Sequence, residues 1–173
     1  MPLDRYDRAI LDLLQREGRI SNQDLAERIG LSPSPCLRRV RALEEAGLIV
    51  GYRALLDARK LGISLMALIH ISMDRHTPER FEHFEQSVAD IPEVIECLLI
   101  TGQDADYQLK AVVADMEAYQ ELLLNRITRI PGVSGVHTSF VLRSVVDGRG
   151  LPVGGAGGRD QEIRGQSRHT LLV

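Results

Sequence analysis

The stretch LSPSPCLRRVRALEEAG, residues 31–47, sets Arg38, Arg39 and Arg41 close together just after two prolines. A guanidinium is a permanent cation whose planar fork of donors matches guanine O6 and N7, or a phosphate. At about 100° per residue, Ser34, Arg38, Arg41 and Glu45 share one side of a helix. Cys36, Val40 and Leu43 share the other, with Leu37 at its edge and Arg39 on a flank. The polar side offers a hydroxyl and two guanidiniums near the helix start, a suitable set for nucleic acid. An arginine-rich helix face alone is also what any solvated surface helix shows.

A second candidate is TGQDADY, residues 101–107. Thr101, Gly102, Gln103, Asp104 and Asp106 beside a sheet suit a small polar ligand. Carboxylates accept bonds from an ammonium, and loop amides take a carboxylate. The plain alternative is a polar hairpin loop. His76, Glu79 and His83 share part of a helical surface, but the acids around them point to a charged outer face, so no metal site is expected. His70 and His137 fall on strands as structural histidines.

The elements that must carry these residues follow from spacing. Tyr6, Ile10, Leu13 and Leu14 form one helical stripe, which Gly18 ends. Ser21, with Asp24 three places on, opens a second helix as a variant capping box, and Gly30 stops it. Ser32 is a good N-cap, and Pro33 takes the first helical position, where no N–H is needed. Leu31 and Cys36 occupy the two positions of a hydrophobic staple. The prolines therefore start the third helix, and Gly47 ends it.

Three short helices, the third arginine-faced, predict a helix-turn-helix unit whose third helix enters the major groove. Ser21 and Asn22 open the second helix of that unit and join the DNA-facing candidates. LIVGYRALLD, residues 48–57, predicts a wing hairpin around Gly51, offering Tyr52 and Arg53 to the phosphate backbone.

Residues 61–146 predict β-α-β-β-α-β, an α+β, ferredoxin-like arrangement. The strands are 64–73, 94–100, 107–113 and 136–142. One helix follows Thr77-Pro78. Another follows Asp115 and carries Met116, Tyr119, Leu123, Ile127 and Ile130. IPEV and IPGV, at 91–94 and 130–133, each lead from a helix into a strand. In the first strand Ala67, Ile69, Ile71 and Met73 face one way, and Met66 and Leu68 the other. Two helices cover one face of a four-stranded sheet, so the second apolar face predicts a homodimer.

Charge agrees with this division. The chain is net −3, which argues against nucleic acid at first. Residues 1–60 carry 11 Lys and Arg against 9 Asp and Glu, net +2. Residues 61–173 carry 10 against 15, net −5. A local basic face can bind phosphate on an acidic protein. The expected domains are therefore 1–60, 61–146 and a tail, 147–173, whose glycines predict a flexible segment. No apolar run long enough to span a membrane exists. Two cysteines, Cys36 and Cys97, make no disulfide framework and suit a reducing cytoplasm.

RISNQDLAERIGLSPSPCLRRVRALEEAGLIVGY resembles the Lrp/AsnC family of transcription regulators. The likeness continues through ALLDARKLG, IPEVIECLLITG, DYQLKAVVADMEAYQELL and RIPGVSGVHTSFVL, covering roughly residues 3–146. It implies a winged helix-turn-helix and an amino-acid-sensing βαββαβ domain, in homodimers that often assemble to octamers on double-stranded DNA. It places Ser32, Ser34, Pro35, Arg38, Arg39 and Arg41 on the DNA-reading helix. It assigns Leu99, Thr101, Gly102, Gln103, Asp106 and Tyr107 to an effector cleft, with Thr138, Ser139 and Phe140 from the last strand. Leucine or another apolar amino acid is the first expectation as effector. The family's loop runs Thr/Ser-Gly, two residues, then Asp-Tyr. Here Gln103, Asp104 and Ala105 intervene, so Asp104 and Asp106 are both candidates.

Two other functions fit the architecture. An architectural DNA-binding protein would keep the arginine helix and sense no amino acid. Sirohaem decarboxylases resemble the same two-domain plan, but would want basic residues and histidines at the sheet cleft, where this chain is acidic. No enzyme activity, cofactor or catalytic residue is expected.

Overall fold

The structure, a computed structural model, describes residues 2–102, 105–146 and 148–153. The chain divides into two compact units, with the break after Leu55 and the return to the first unit at Val145. The boundary thus falls slightly before the expected one at 60/61.

The first unit holds α1 (Arg5–Arg16), α2 (Asn22–Ile29) and α3 (Pro33–Glu45). Each starts where a side chain can replace the missing helical acceptors. Asp4 caps α1, accepting from the Tyr6 and Asp7 amides, while Asp7 returns a bond to the Asp4 amide. Ser21 caps α2 through the Asp24 amide, and its hydroxyl donates to the Asp24 carboxylate at 2.6 Å. Gly30 closes α2 at φ 71°, the left-handed conformation that favours glycine. Pro33 takes the first turn of α3 after Ser32, as expected, although the Ser32 hydroxyl makes no capping bond.

The core of this unit is Ile10, Leu11, Leu25, Ala26, Cys36 and Leu43, with Leu31 packed against it. Ile10, Cys36 and Leu43 are fully buried, and such an aliphatic side chain contributes about 1.5–3 kcal/mol.

The expected wing hairpin is absent: residues 48–57 carry no strand. Two very short runs meeting at a single glycine have no third strand to pair with, and an isolated two-stranded ribbon is marginal in water. The segment instead runs without regular secondary structure, with Val50, Leu55 and Leu56 exposed. Tyr52 donates its hydroxyl to Glu44 at the end of α3 at 3.0 Å.

The second unit is a four-stranded antiparallel sheet with two helices. Its elements are β1 (Leu65–Met73), α4 (Pro78–Ala89), β2 (Val94–Leu99), β3 (Tyr107–Val113), α5 (Met116–Asn125) and β4 (Val133–Phe140). The strand order is β2-β3-β1-β4, the ferredoxin-like order expected. The repeated IPEV and IPGV sequences make the same turn. In each, the valine amide donates to the isoleucine carbonyl three residues back, Val94 to Ile91 and Val133 to Ile130.

Alternation on β1 and β3 builds the core. Ala67, Ile69, Ile71 and Met73 pack with Tyr107, Leu109, Ala111 and Val113 under Phe84, Val88, Tyr119 and Leu122. Helix α5 is shorter than the sequence pattern suggests. It stops at Asn125, and Ile127–Arg129 continues as a 3-10 turn that still buries Ile127.

Part of the expected flexible tail is held. Leu151 pairs with Gln15 of α1 at both its amide and its carbonyl, at 2.5 and 3.1 Å. Arg8 donates to the Val153 carbonyl at 2.7 Å, and Val153 packs against the core of the first unit. Glycine content marked this stretch as loose, but an amide side chain that bonds a backbone at two points overrides composition. The expectation for the tail beyond Val153 lies outside the described residues.

Candidate DNA interface and effector site

Helix α3 presents Ser32, Ser34, Arg38 and Arg41 as exposed residues, with Pro35 half-buried beneath them. Arg38 and Arg41 have no ion pair or hydrogen bond among the described residues, so both guanidiniums face solvent with their donors free. This is the state needed to meet phosphate or a base edge without first breaking a bond.

Arg39 does something else. Its guanidinium bonds Asp7 and Asp4, each at 2.8 Å, and lies 5.3 Å from the centre of the Tyr6 ring. Asp7 is the one buried charged residue among those described, and Arg39 is its counter-ion. The Asp4 carboxyl is held below the usual carboxylate range, first by the Asp7 amide and then by Arg39. The expectation that Arg39 belongs to the DNA-reading set therefore meets a competing duty: it fastens α3 to the start of α1. The D-x-x-D capping box at residues 4–7 was the signal that marks this partner.

Asn22 also works inside the unit. Its side-chain amide donates to the Pro33 carbonyl at 2.9 Å, joining the start of α2 to the first turn of α3. Ser21 is committed to its cap. Arg53 is exposed, while Tyr52 is tied to Glu44. The expected DNA-facing set thus separates into free residues on α3 and residues that position α3.

The effector candidates are spread across the sheet. Leu99, Thr101 and Gly102 are exposed at the β2 edge, and Gln103 and Asp104 lie outside the described residues. Tyr107 points the other way. It is buried between Phe81 and Phe84, and its hydroxyl donates to Glu85 at 2.7 Å. Burial first, and the Glu85 carboxylate second, push its pKa up. Tyr107 is therefore a core residue, as alternation from the buried Leu109 requires.

Asp106 locks the base of the loop. One carboxylate oxygen accepts from the Met73 amide at 2.7 Å, and the other pairs with His76 Nε2 at 2.7 Å. Its backbone bonds Ile71 and Ile100. Sequence reading placed His76 in a surface cluster with Glu79 and His83. Its partner is Asp106, thirty residues away, which only the fold brings near. No group of three or more metal-ligating residues assembles among the described residues.

Thr138, Ser139 and Phe140 lie on β4, the opposite edge. Tyr119 donates to the Thr138 hydroxyl at 2.6 Å, and Phe140 stacks edge-on to Tyr119. Strand spacing and rise put Asp106 and Thr138 roughly 14 Å apart. One chain therefore does not gather the effector candidates into one pocket.

Cys36 is buried in the first core, as expected, whereas Cys97 is exposed on edge strand β2. Burial raises the Cys36 thiol, and the partly covered sulfur of Cys97 is raised likewise, with Glu85 adding to it.

Comparison with known proteins agrees with the two units. The profile of the Lrp/AsnC ligand binding domain matches residues 66–151, and that of a winged helix-turn-helix DNA-binding domain matches residues 3–50. The chain is 48% identical over 143 residues to the leucine-responsive regulatory protein of Klebsiella pneumoniae, covering 83% of this chain and 87% of that one. The leucine-responsive regulatory protein of Escherichia coli K12 matches at the same identity and coverage. Among solved structures, a transcriptional regulator from Neisseria meningitidis in complex with L-methionine superposes with a TM-score of 0.84 at 40% identity, covering 88% of this chain and 97% of that one. An AsnC family regulator from Agrobacterium tumefaciens superposes with a TM-score of 0.82 at 34% identity, covering 87% and 97%. No described helix is long and apolar enough to cross a membrane. With a helix-turn-helix whose third helix presents free arginines, and a βαββαβ sensing unit, the chain belongs to the Lrp/AsnC family of DNA-binding transcriptional regulators.

Proposed function

We propose that this regulator reads DNA with Ser34, Arg38 and Arg41 and senses an apolar amino acid at a site completed by a second copy of the chain. The observation that carries the second part is the separation of Asp106 from Thr138. The loop at the β2 edge and the hydroxyls of β4 lie at opposite sides of one sheet. An amino acid spans only a few ångströms, so loop and β4 residues can touch the same molecule only if they come from different chains. The sheet face left open by α4 and α5 carries Met66, Leu68 and Leu98 and suits a homodimer, with higher assembly across the loop edges. Methionine, bound by the Neisseria relative, and leucine, in the name of the curated relatives, are the leading effectors.

Coupling then follows from differential binding. An amino acid held between chains favours the assembly that forms the site, and that assembly sets the spacing of the α3 helices on DNA. A gel-shift titration on the DNA upstream of the protein's own gene tests this at fixed salt, because phosphate contacts make affinity salt-dependent. The expected result is a specific shift altered by leucine or methionine, with a matching change in sedimentation. A specific shift that no amino acid alters would leave the architectural function and remove the sensing one. Absence of any specific shift would remove the regulator reading of α3.

A further inference from the structure

The outer face of the sheet carries a polar row in an otherwise largely apolar surface. His70 of β1 lies directly opposite His137 of β4, and opposite Gln108 of β3 on its other side. The two imidazole centroids are 6.4 Å apart, tilted by 34°. His70 Nε2 meets Gln108 Oε1 at 3.2 Å. In the tautomer that donates Nε2–H to this oxygen, Nδ1 of His70 is the nitrogen left open. His137 is exposed and has no other partner among the described residues.

We propose that His70 and His137 form a two-imidazole site for a borderline transition-metal ion such as Cu2+, Ni2+ or Zn2+. Neutral imidazole is the ligand type these ions prefer, and hard cations such as Mg2+ do not. The spacing is close to that of a shared ion: with metal–nitrogen bonds of about 2.1 Å, two imidazoles at tetrahedral or right angles have centroids roughly 4.5–5.5 Å apart, so the rings must swing about 1 Å closer. Pairing across the ladder already fixes the two Cβ atoms near each other, so side-chain rotation completes the approach without moving the backbone.

Gln108 supplies what metal-bound histidines usually have, an acceptor on the far nitrogen that sets tautomer and ring orientation. The charged neighbours on this face are Lys110 and Glu96, directly opposite one another on β3 and β2, so no uncompensated cation sits beside the pair. This is the face proposed above for the homodimer, so the same pair from the second chain fills the remaining positions, and the amino-acid site is not required.

The test uses the full untagged chain with Cu2+, Ni2+ and Zn2+ as probes in isothermal titration, and Cu2+ electron paramagnetic resonance as the structural readout. The expected result is micromolar binding, one ion per chain or one per two chains, with coupling to two or more imidazole nitrogens. His137→Ala weakens it at least tenfold, and a variant at a surface histidine outside this face, His83→Ala, leaves it unchanged. His137→Gln serves as the second variant should alanine perturb the strand, with circular dichroism to confirm folding. Binding that survives loss of His137, or a copper signal without imidazole nitrogens, overturns the site. Sedimentation of the metal-free chain keeps the readings apart: a dimer that binds no metal removes only this inference.

Discussion

Arg39 bonds Asp7 at 2.8 Å, so the middle arginine of the LRRVR run holds α3 to α1 while Arg38 and Arg41 on either side remain free. Three residues of one type, adjacent in sequence, therefore split into two duties. Asp7 is buried, and a buried carboxylate left without its counter-ion is strongly destabilising.

The split predicts opposite phenotypes. Arg38→Ala lowers specific DNA affinity by about 1–3 kcal/mol, roughly five- to 150-fold, and leaves the thermal midpoint unchanged. Arg39→Ala lowers the midpoint of the first unit by several degrees, and affinity measured well below that midpoint falls much less. Differential scanning calorimetry beside a gel shift separates them. Equal affinity losses with unchanged midpoints would refute the division.

Asp106 joins the loop to the end of β1 through the Met73 amide and His76. Asp106→Ala frees both partners and is expected to abolish the amino-acid response while operator affinity without effector stays within about threefold. His76→Ala removes only the exposed partner and keeps a weakened response. A full response in Asp106→Ala, read by the same titration, would exclude the loop from sensing.

Tyr107 makes stability depend on alkaline pH. Its folded pKa is raised by burial and by Glu85, so the folded chain keeps the proton after the unfolded chain has lost it. A tyrosine raised in this way contributes its full stability below the unfolded value of about 10, and that stability declines as pH rises above it. Tyr107→Phe costs about 1 kcal/mol at pH 7, the worth of one hydrogen bond. Above pH 10 the wild-type advantage shrinks by up to about 1.4 kcal/mol per pH unit. Urea unfolding at pH 7, 9, 10.5 and 11.5 gives the two curves, and a constant gap would contradict the linkage.

Gln15 grips Leu151 at both backbone groups. Gln15→Ala is expected to release residues 148–153 and make that stretch the first to be cut by a nonspecific protease. The cost to the first unit is small, about 0.5–1.5 kcal/mol for each hydrogen bond lost. Hydrogen exchange at Leu151, rising at least tenfold while α2 stays protected, checks it.

Much of the architecture was legible in the sequence because its signals are local. Ser21 and Asp115 cap helices at the expected places, since a cap needs only the amides that follow it, and Pro33 and Pro78 open theirs where no amide is needed. Alternation from Ala67 to Met73 fixes which face of β1 is buried, because a strand has no other way to sort its side chains. Free arginines on α3 follow from helical angle alone.

What tertiary structure decided are the contacts whose partners are distant in the chain. Arg39 and Asp7, His76 and Asp106, His70 and His137, and Gln15 and Leu151 each meet only after the units have closed. Residues 48–57 carry no strand for the same reason, since a strand needs a neighbour that they do not find among the described residues. Tyr107 belongs to the core because its ring is carried under α4, against a motif that suggested a ligand contact. Periodicity reports which way a side chain points, and only packing determines what it meets there.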